Sequence, residues 1–233
     1  MSREGRMARF SHLPVLNPHV SILAPAQAEV WPSLGRIPEH FVLYGGTGLA
    51  LRLGHRESVD FDFFSAESFL PTDLASDLSW LGEITINQAS ASNLIVTTQD
   101  AVNLSFLGAM GIAAVAEPSL VEENGLVIAS KFDLAGTKAK AILDRSEWRD
   151  YVDIAMLVRD GMTVPEMIGY ATAIFEPKFE FPGAAFLRSL VWFGDGTAQE
   201  LPDDIKRELE QAVAKVGGNG IPVVIPYSAA ILP

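Results

Sequence analysis

The chain has 233 residues, of which 48% are hydrophobic and 20% are charged, which is the composition of a globular protein and not of a disordered one. It contains no cysteine, so disulfides, zinc thiolate sites and thiol nucleophiles are excluded. A formal net charge of −12 argues against broad DNA or RNA binding, which depends on an extended basic surface.

Hydrophobic periodicity and turn residues predict most of the secondary structure. In chain order, the predicted elements are an irregular arm at 1–20, a helix at 25–36, a strand at 40–44, a glycine turn, a helix at 47–53, a strand at 59–64, a helix at 71–81, antiparallel strands at 83–88, 93–98 and 101–107, a short strand at 126–129, and helices at 131–144, 147–159, 163–174, 183–192 and 203–216. The strands precede most of the helices, which predicts an α+β fold with a mixed sheet flanked by helices.

The length suits one domain with a helical appendage. We expect an α/β domain at 1–145 and a helical C-terminal region at 146–233 that packs on it. The apolar segment 221–233 either docks on its own domain or adds to the sheet edge of a partner. No apolar run is long enough to span a bilayer and no secretory signal is evident, so we expect a cytoplasmic protein without a membrane partner.

The segment FVLYGGTGLALRLGHRESVDFDFF, residues 41–64, carries the strongest functional signal. Gly45 and Gly46 separate a strand from a helix, and their amides, with the Thr47 hydroxyl, are placed to hold a phosphate at the helix N-terminus. The ordinary alternative is a tight turn that needs glycine for a positive φ. Arg56, beyond the helix end, is a candidate for binding the same ligand or a favourable cation at the helix C-terminus.

Two carboxylates alternate with apolar residues in the strand that ends this segment. Asp60 and Asp62 therefore point to one face and Phe61 and Phe63 to the other, with about 6.6–7 Å between the two aspartates along the strand. The apolar neighbours indicate a central strand, where two like charges need a cation between them. We therefore predict that both aspartates bind a divalent metal ion; a solvent-facing strand edge is the alternative.

Basic residues fall on the apolar stripe of the helix at 131–144 and just beyond it, namely Lys131, Lys138 and Arg145. Such positions imply an anionic partner, either the strand aspartates or a bound phosphate. We favour this function for Lys138, whereas simple salt bridging or snorkelling is an equal alternative for Arg145. On the next helix, Asp150 and Asp153 either orient these cations or, in an Arg149–Asp153 pair, support the helix surface.

The motifs GGTGLALRLGHRESVDFDFF, KFDLAGTKAKAILDR and RDYVD, in this order within residues 38–160, resemble those of the AbiEii/AbiGii-type nucleotidyltransferase toxins. That family is a branch of the polymerase-β-like nucleotidyltransferase superfamily. The resemblance implies a small mixed sheet flanked by helices, an NTP substrate and Mg²⁺, with Mn²⁺ as an alternative. It also implies transfer of a nucleotidyl group to an acceptor, RNA such as tRNA in some members, and a protein antitoxin as partner.

The resemblance also assigns roles to individual residues. It implies catalytic roles for Asp60, Asp62 and Lys138, metal binding by Asp60 and Asp62, and nucleotide binding by Gly45, Gly46, Thr47 and Lys138, with Arg149, Asp150 and Asp153 in the last motif. Arg56, Arg145, Asp150 and Asp153 complete the predicted nucleotide site.

The chain departs from the family pattern at two places. The strand VNLSF offers Asn103 and Ser105 where many superfamily members have a third carboxylate, and Arg149 stands where lysine is usual. An alternative function follows from the first departure: a catalytically impaired module that binds a nucleotide or a partner and keeps the fold.

Overall fold

The computed structural model describes residues 3–176, 178–217 and 220–232. The chain divides into two compact units, the first made of residues 1–112, 117–130 and 228–233 and the second of residues 113–116 and 131–227. Each unit is therefore assembled from segments that are separated in the sequence. In the described part of the chain, no helix is long and apolar enough to cross a membrane.

A mixed sheet, seven-stranded over the described residues, forms the centre of the first unit. Its strands are β1 (Val42–Tyr44), β2 (Asp60–Phe64), β3 (Ile84–Ser90), β4 (Asn93–Thr98), β5 (Asn103–Leu107), β6 (Ser119–Leu120) and β7 (Val127–Ile128). Their spatial order is β3-β4-β5-β2-β1-β7-β6. Because β2 is parallel to β5 and β1 is parallel to β7, while the other neighbours are antiparallel, the predicted α+β class with a mixed sheet is confirmed.

One face of the sheet carries the aromatic core of the first unit. Phe61 and Phe63 of β2 are fully buried, which confirms the alternation predicted for this strand. The Phe63 ring stacks on Phe106 of β5 at 5.1 Å between centroids, and Phe41 meets Phe106 edge-on at 5.2 Å. This packing leaves the opposite face of β2 for the two aspartates.

The helices of the first unit are α1 (Arg3–Arg9), α2 (Pro25–Val30), α3 (Gly45–Leu53) and α4 (Pro71–Asp77). The predicted helix at 25–36 continues from Trp31 as a 3-10 turn, because Pro32 offers no N–H to an α-helical ladder. The predicted irregular arm at 1–20 is wrong where α1 forms. Its Arg6 is buried and donates through Nη1 to the carbonyls of Gly35, at 3.0 Å, and Ile37, which fixes the helix.

The second unit is helical and contains α5 (Lys131–Asp144), α6 (Trp148–Arg159), α7 (Val164–Phe175), α8 (Gly183–Leu190) and α9 (Asp203–Ala214). Helix α5 packs closely on α7 at Gly136, where a Cβ would lie 2.5 Å from Ile174 Cδ1 and 3.0 Å from Ala171 N. Because of this packing α5 belongs to the second unit, whereas the sequence analysis placed it in a domain that ends at residue 145.

The apolar segment that begins at residue 221 forms no named helix or strand among its described residues, and it packs only in part. The Pro222 carbonyl and the Val224 side chain lie against Gly169 of α7, whereas Val223 is 94% exposed and Ile225 is 83% exposed. Further along the chain Ile231 is buried. Met1, Ser2 and Pro233, which the predicted arm and apolar segment include, lie outside the described residues.

Candidate functional site

The two glycines form the first turn of α3, which begins at Gly45 directly after β1. Gly45 has a φ of +68°, a conformation that residues with a Cβ rarely adopt. A Cβ at Gly45 would lie 2.1 Å from Oδ2 of Asp62. The Asp62 carboxylate therefore occupies, beside the N-terminus of α3, space that only glycine leaves open.

The guanidinium of Arg56 covers the second glycine. The chain turns at Gly54, which ends α3 with a φ of 64°, and then runs back along α3. A Cβ at Gly46 would lie 2.6 Å from Arg56 Nη2, and Arg56 Nη1 donates to the Glu57 carbonyl at 2.8 Å. Arg56 thus adds a positive charge at the helix N-terminus, not at the C-terminus that the sequence alternative proposed.

Thr47 joins the first turn of α3 to β2. Its side chain is fully buried, and its hydroxyl contacts the carbonyl of Asp60 and lies 2.8 Å from Oγ of Ser58. The hydroxyl is therefore engaged inside the protein, where it holds the glycine turn against the strand that carries the aspartates.

Asp60 and Asp62 lie half-buried on one face of β2, as predicted. The parallel register of β5 sets Asn103 beside Asp60 and Ser105 beside Asp62. Asn103 Nδ2 donates to Asp60 Oδ1 at 2.9 Å. An amide and a hydroxyl therefore occupy the positions where a third carboxylate was sought.

This donor set fits Mg²⁺. Across the described residues, no three or more His, Asp or Glu side chains gather into a metal cluster. Mg²⁺ in phosphoryl-transfer sites is commonly held by one or two carboxylates, with substrate phosphates and water completing its shell. Asp60 and Asp62 lie next to a helix N-terminus that favours phosphate, and they are the residues that could supply the protein part of such a shell.

A buried ion cluster lies in the second unit. Lys138 Nζ is 2.7 Å from Asp150 Oδ1 and 2.6 Å from Asp153 Oδ2, and the three side chains are 7%, 1% and 0% exposed. Arg145 Nε donates to Asp150 Oδ2 at 2.8 Å, although the Arg145 side chain is 53% exposed. The burial of Lys138 was predicted correctly, and both aspartates contact its ammonium. The placement of Arg145 on a buried stripe was wrong.

The structure thus gathers the predicted site residues in two groups. Gly45, Gly46, Thr47, Arg56, Asp60 and Asp62 come together in the first unit, and Lys138, Arg145, Asp150 and Asp153 come together in the second. Sequence reasoning missed the contact of Ser58 with Thr47 and that of Asn103 with Asp60. Both contacts depend on tertiary packing, which no local sequence pattern encodes.

Comparison with known proteins decides the family. Residues 33–102 and 102–218 match the family described as "Nucleotidyl transferase AbiEii toxin, Type IV TA system", and the match covers more than half of the chain. The chain belongs to the AbiEii family. This AbiEii-family protein is accordingly a nucleotidyltransferase of the type IV toxin–antitoxin class, as its motifs indicated.

The individual proteins that resemble the AbiEii-family protein share 30% of its residues or fewer. The uncharacterized protein aq_aa25 of Aquifex aeolicus (strain VF5) is 30% identical over 183 residues, which are 77% of this chain and 85% of that protein. A crystal structure of a candidate nucleotidyltransferase from H. pylori has 18% identity and a TM-score of 0.46, over 83% of this chain and 95% of that one. MenT4, a nucleotidyltransferase toxin from Mycobacterium tuberculosis H37Rv, has 12% identity and a TM-score of 0.39, over 94% and 100%.

Proposed function

We propose that this nucleotidyltransferase binds an NTP at the first turn of α3, uses Mg²⁺ held by Asp60 and Asp62, and transfers the nucleotidyl group to an acceptor hydroxyl, with RNA such as tRNA as the acceptor class. The observation that carries the proposal is the crowding at Gly45 and Gly46. The Asp62 carboxylate and the Arg56 guanidinium press against the two glycines where the helix begins.

The phosphates of the NTP would bind at this turn because three favourable features coincide. The first backbone N–H groups of α3 have no helical acceptor, and the helix dipole adds positive potential there. The glycines present no Cβ, so the Asp62 carboxylate and the Arg56 guanidinium can lie directly against this turn, beside the N–H groups that would face the phosphates. Arg56 contributes guanidinium N–H groups, which suit phosphate oxygens. Thr47, being buried, positions this turn and does not contact the ligand.

Asp60 and Asp62 would hold Mg²⁺, or Mn²⁺ in its place, on the polar face of β2. The bound ion would supply charge neutralisation and orientation of the phosphate oxygens. In the transfer, the acceptor oxygen forms a bond to the α-phosphorus while the bond to the β-bridging oxygen breaks. Pyrophosphate leaves with the electron pair, and the proton of the acceptor hydroxyl passes to solvent or to a base. The chain contributes chiefly positioning and electrostatics.

For the residues of the second unit, we propose the nucleotide-binding roles that the motif resemblance implies. Within that unit, the contacts of Asp150 and Asp153 with the Lys138 ammonium support a role for the two aspartates in orienting it. Arg145, which bonds to Asp150, would assist. A protein antitoxin is proposed as partner on the description of the family as a type IV toxin–antitoxin system.

The test is label transfer from α-labelled NTPs to total RNA in the presence of Mg²⁺. We expect transfer by the wild type and a loss of at least about 100-fold in the Asp60→Asn and Asp62→Asn variants, because outer contacts alone do not replace a metal ligand. Asp100→Asn is the matched control, since Asp100 is exposed in the turn between β4 and β5. Transfer that is equal in all variants, or absent from the wild type, contradicts the proposal.

One observation favours a second candidate, nucleotide binding without turnover. Asn103 and Ser105 stand beside the aspartates, and neither side chain can serve as the carboxylate base that a third acid would provide. This candidate predicts that an NTP with Mg²⁺ raises the melting temperature while no label reaches RNA. Label transfer that depends on Asp62 excludes it.

A further inference from the structure

A row of side-chain hydrogen bonds crosses four adjacent strands and ends on Asp60. Asn87 Nδ2 of β3 donates to Thr97 Oγ1 of β4 at 2.6 Å, and the Thr97 hydroxyl donates to Asn103 Oδ1 of β5 at 2.7 Å. Asn103 Nδ2 then donates to Asp60 Oδ1 of β2 at 2.9 Å. The row therefore connects the edge of the sheet to a proposed metal ligand.

The Asp60 carboxylate, at one end of this row, fixes which group donates in each of its hydrogen bonds. A carboxylate only accepts hydrogen bonds, so Asn103 must turn its NH₂ group towards Asp60 and its carbonyl oxygen towards Thr97. Thr97 has a single hydroxyl proton, which it gives to that oxygen. Asn87 must consequently donate to Thr97. The hydroxyl of Thr97 is thus the group that sets the orientation of the Asn103 amide.

The backbone brings these side chains together through register and one irregularity. Thr97 lies opposite Asn103 in the antiparallel β4–β5 pair, and Asn103 lies opposite Asp60 in the parallel β5–β2 pair. The register of β3 against β4 shifts between Ile86 and Gln88, so Asn87 sits in a bulge. Bulges redirect a side chain and are frequent beside active sites. Here the redirected side chain completes the row.

We propose that Asn103 is a positioning residue for Asp60 and that Thr97 enforces this role by fixing the Asn103 amide. The inference rests on the proposed function, in which Asp60 binds the metal ion. Asn103 holds Oδ1 of Asp60 and leaves Oδ2 for the metal. Asn103 does not act as a replacement ligand, because its own oxygen faces Thr97. The residue at the third-carboxylate position therefore orients the metal site without adding to its charge.

The experiment compares Thr97→Val with Thr97→Ser in the full chain. Thr97 is half-buried, and valine keeps its shape while losing the hydroxyl that serine retains. Mn²⁺ binding without nucleotide is measured from the electron paramagnetic resonance signal of the free ion. Outer partners of metal ligands contribute about 10- to 100-fold in affinity, so we expect a loss of that size for Asn103→Leu. One bond further out, Thr97→Val should weaken binding about 3- to 10-fold, and Thr97→Ser less than about 2-fold.

Asp60→Asn separates failure of this inference from failure of the proposed function. If Asp60→Asn abolishes Mn²⁺ binding but Thr97→Val binds the ion as tightly as Thr97→Ser, the proposed metal site stands and the positioning role is overturned. If Asp60→Asn binds Mn²⁺ like the wild type, the proposed metal site itself falls and the inference falls with it. Weaker binding in Thr97→Val than in Thr97→Ser, at matched melting temperatures, supports the inference, because a merely structural role would leave the affinity unchanged.

Discussion

Replacement of Lys138 by methionine tests whether the buried ion cluster stabilises the second unit. The ammonium lies within 2.7 Å of carboxylate oxygens of both Asp150 and Asp153, and all three side chains are almost fully buried. Methionine fills part of the same space but removes the charge, so the buried carboxylates of Asp150 and Asp153 lose the cation that contacts both of them. Removing one partner from a buried ion pair costs about 3–5 kcal/mol, and we expect the free energy of unfolding to fall by that amount.

The matched control is Lys140→Met on the same helix. Lys140 pairs with Asp144 across one turn, and the two side chains are 26% and 57% exposed. Such exposed pairs contribute about 0–1 kcal/mol. Both variants are unfolded in urea and followed by far-ultraviolet circular dichroism. The dependence of the free energy of unfolding on urea concentration is compared first, because a change in this slope reports a changed unfolded or native state. A loss below about 1 kcal/mol in Lys138→Met, equal to that of the control, would refute the reasoning.

Two further substitutions test the glycine turn and a helix cap. Gly45→Ala places alanine at a φ of +68° and pushes its Cβ into the Asp62 carboxylate, so we expect a loss of about 1–3 kcal/mol and no nucleotide-dependent rise in melting temperature. Gly82→Ala is the control, because Gly82 also has a positive φ, of +78°, but a Cβ there would have no neighbour within 4 Å. If both variants kept the same nucleotide-dependent rise in melting temperature, the role of the glycine turn would be contradicted. Hydrogen bonds from Thr163 lower the pKa of Glu166 below its ordinary value of 4.5. The ionised Glu166 therefore stabilises the folded state fully above pH 4.5, and this contribution is lost as the pH falls through the pKa of the folded protein. The advantage of wild type over Glu166→Gln in urea unfolding should therefore shrink between neutral pH and about pH 3, and an advantage that does not change with pH would exclude the charge as its source.

The sequence predicted those parts of the site that depend on local periodicity. Asp60 and Asp62 share a face because side chains alternate along any strand, and the phenylalanines between them showed which face is buried. The pairing of β2 with β5 is different, since it joins Asp60 to Asn103 across 43 positions of the chain. No local pattern fixes a parallel register between such distant strands, so the hydrogen bond between these residues became visible only in the structure.

Hydrophobic periodicity predicts the position of charged residues on a helix less well than that of apolar ones. Periodicity placed Lys138 inside correctly but also placed Arg145 there, whereas its side chain is 53% exposed. On α6, Asp150 and Asp153 occupy buried positions that a pattern of apolar residues does not mark. Arg6 shows the same limit, because it is a buried arginine in a segment predicted to be irregular. Burial of a charge depends on which partner the fold brings to it.

The first unit takes residues from three separated stretches of the chain, and this has a consequence for synthesis. Residues 3–112 and 117–130 leave the ribosome early, but residues 228–232, with the buried Ile231, follow only after residues 131–227 have been translated. The first unit, whose sheet strands are all translated by residue 128, is therefore the last to receive its full set of residues. A nascent chain released before residue 228 would carry the glycine turn and both strand aspartates, yet it would lack part of the unit that holds them.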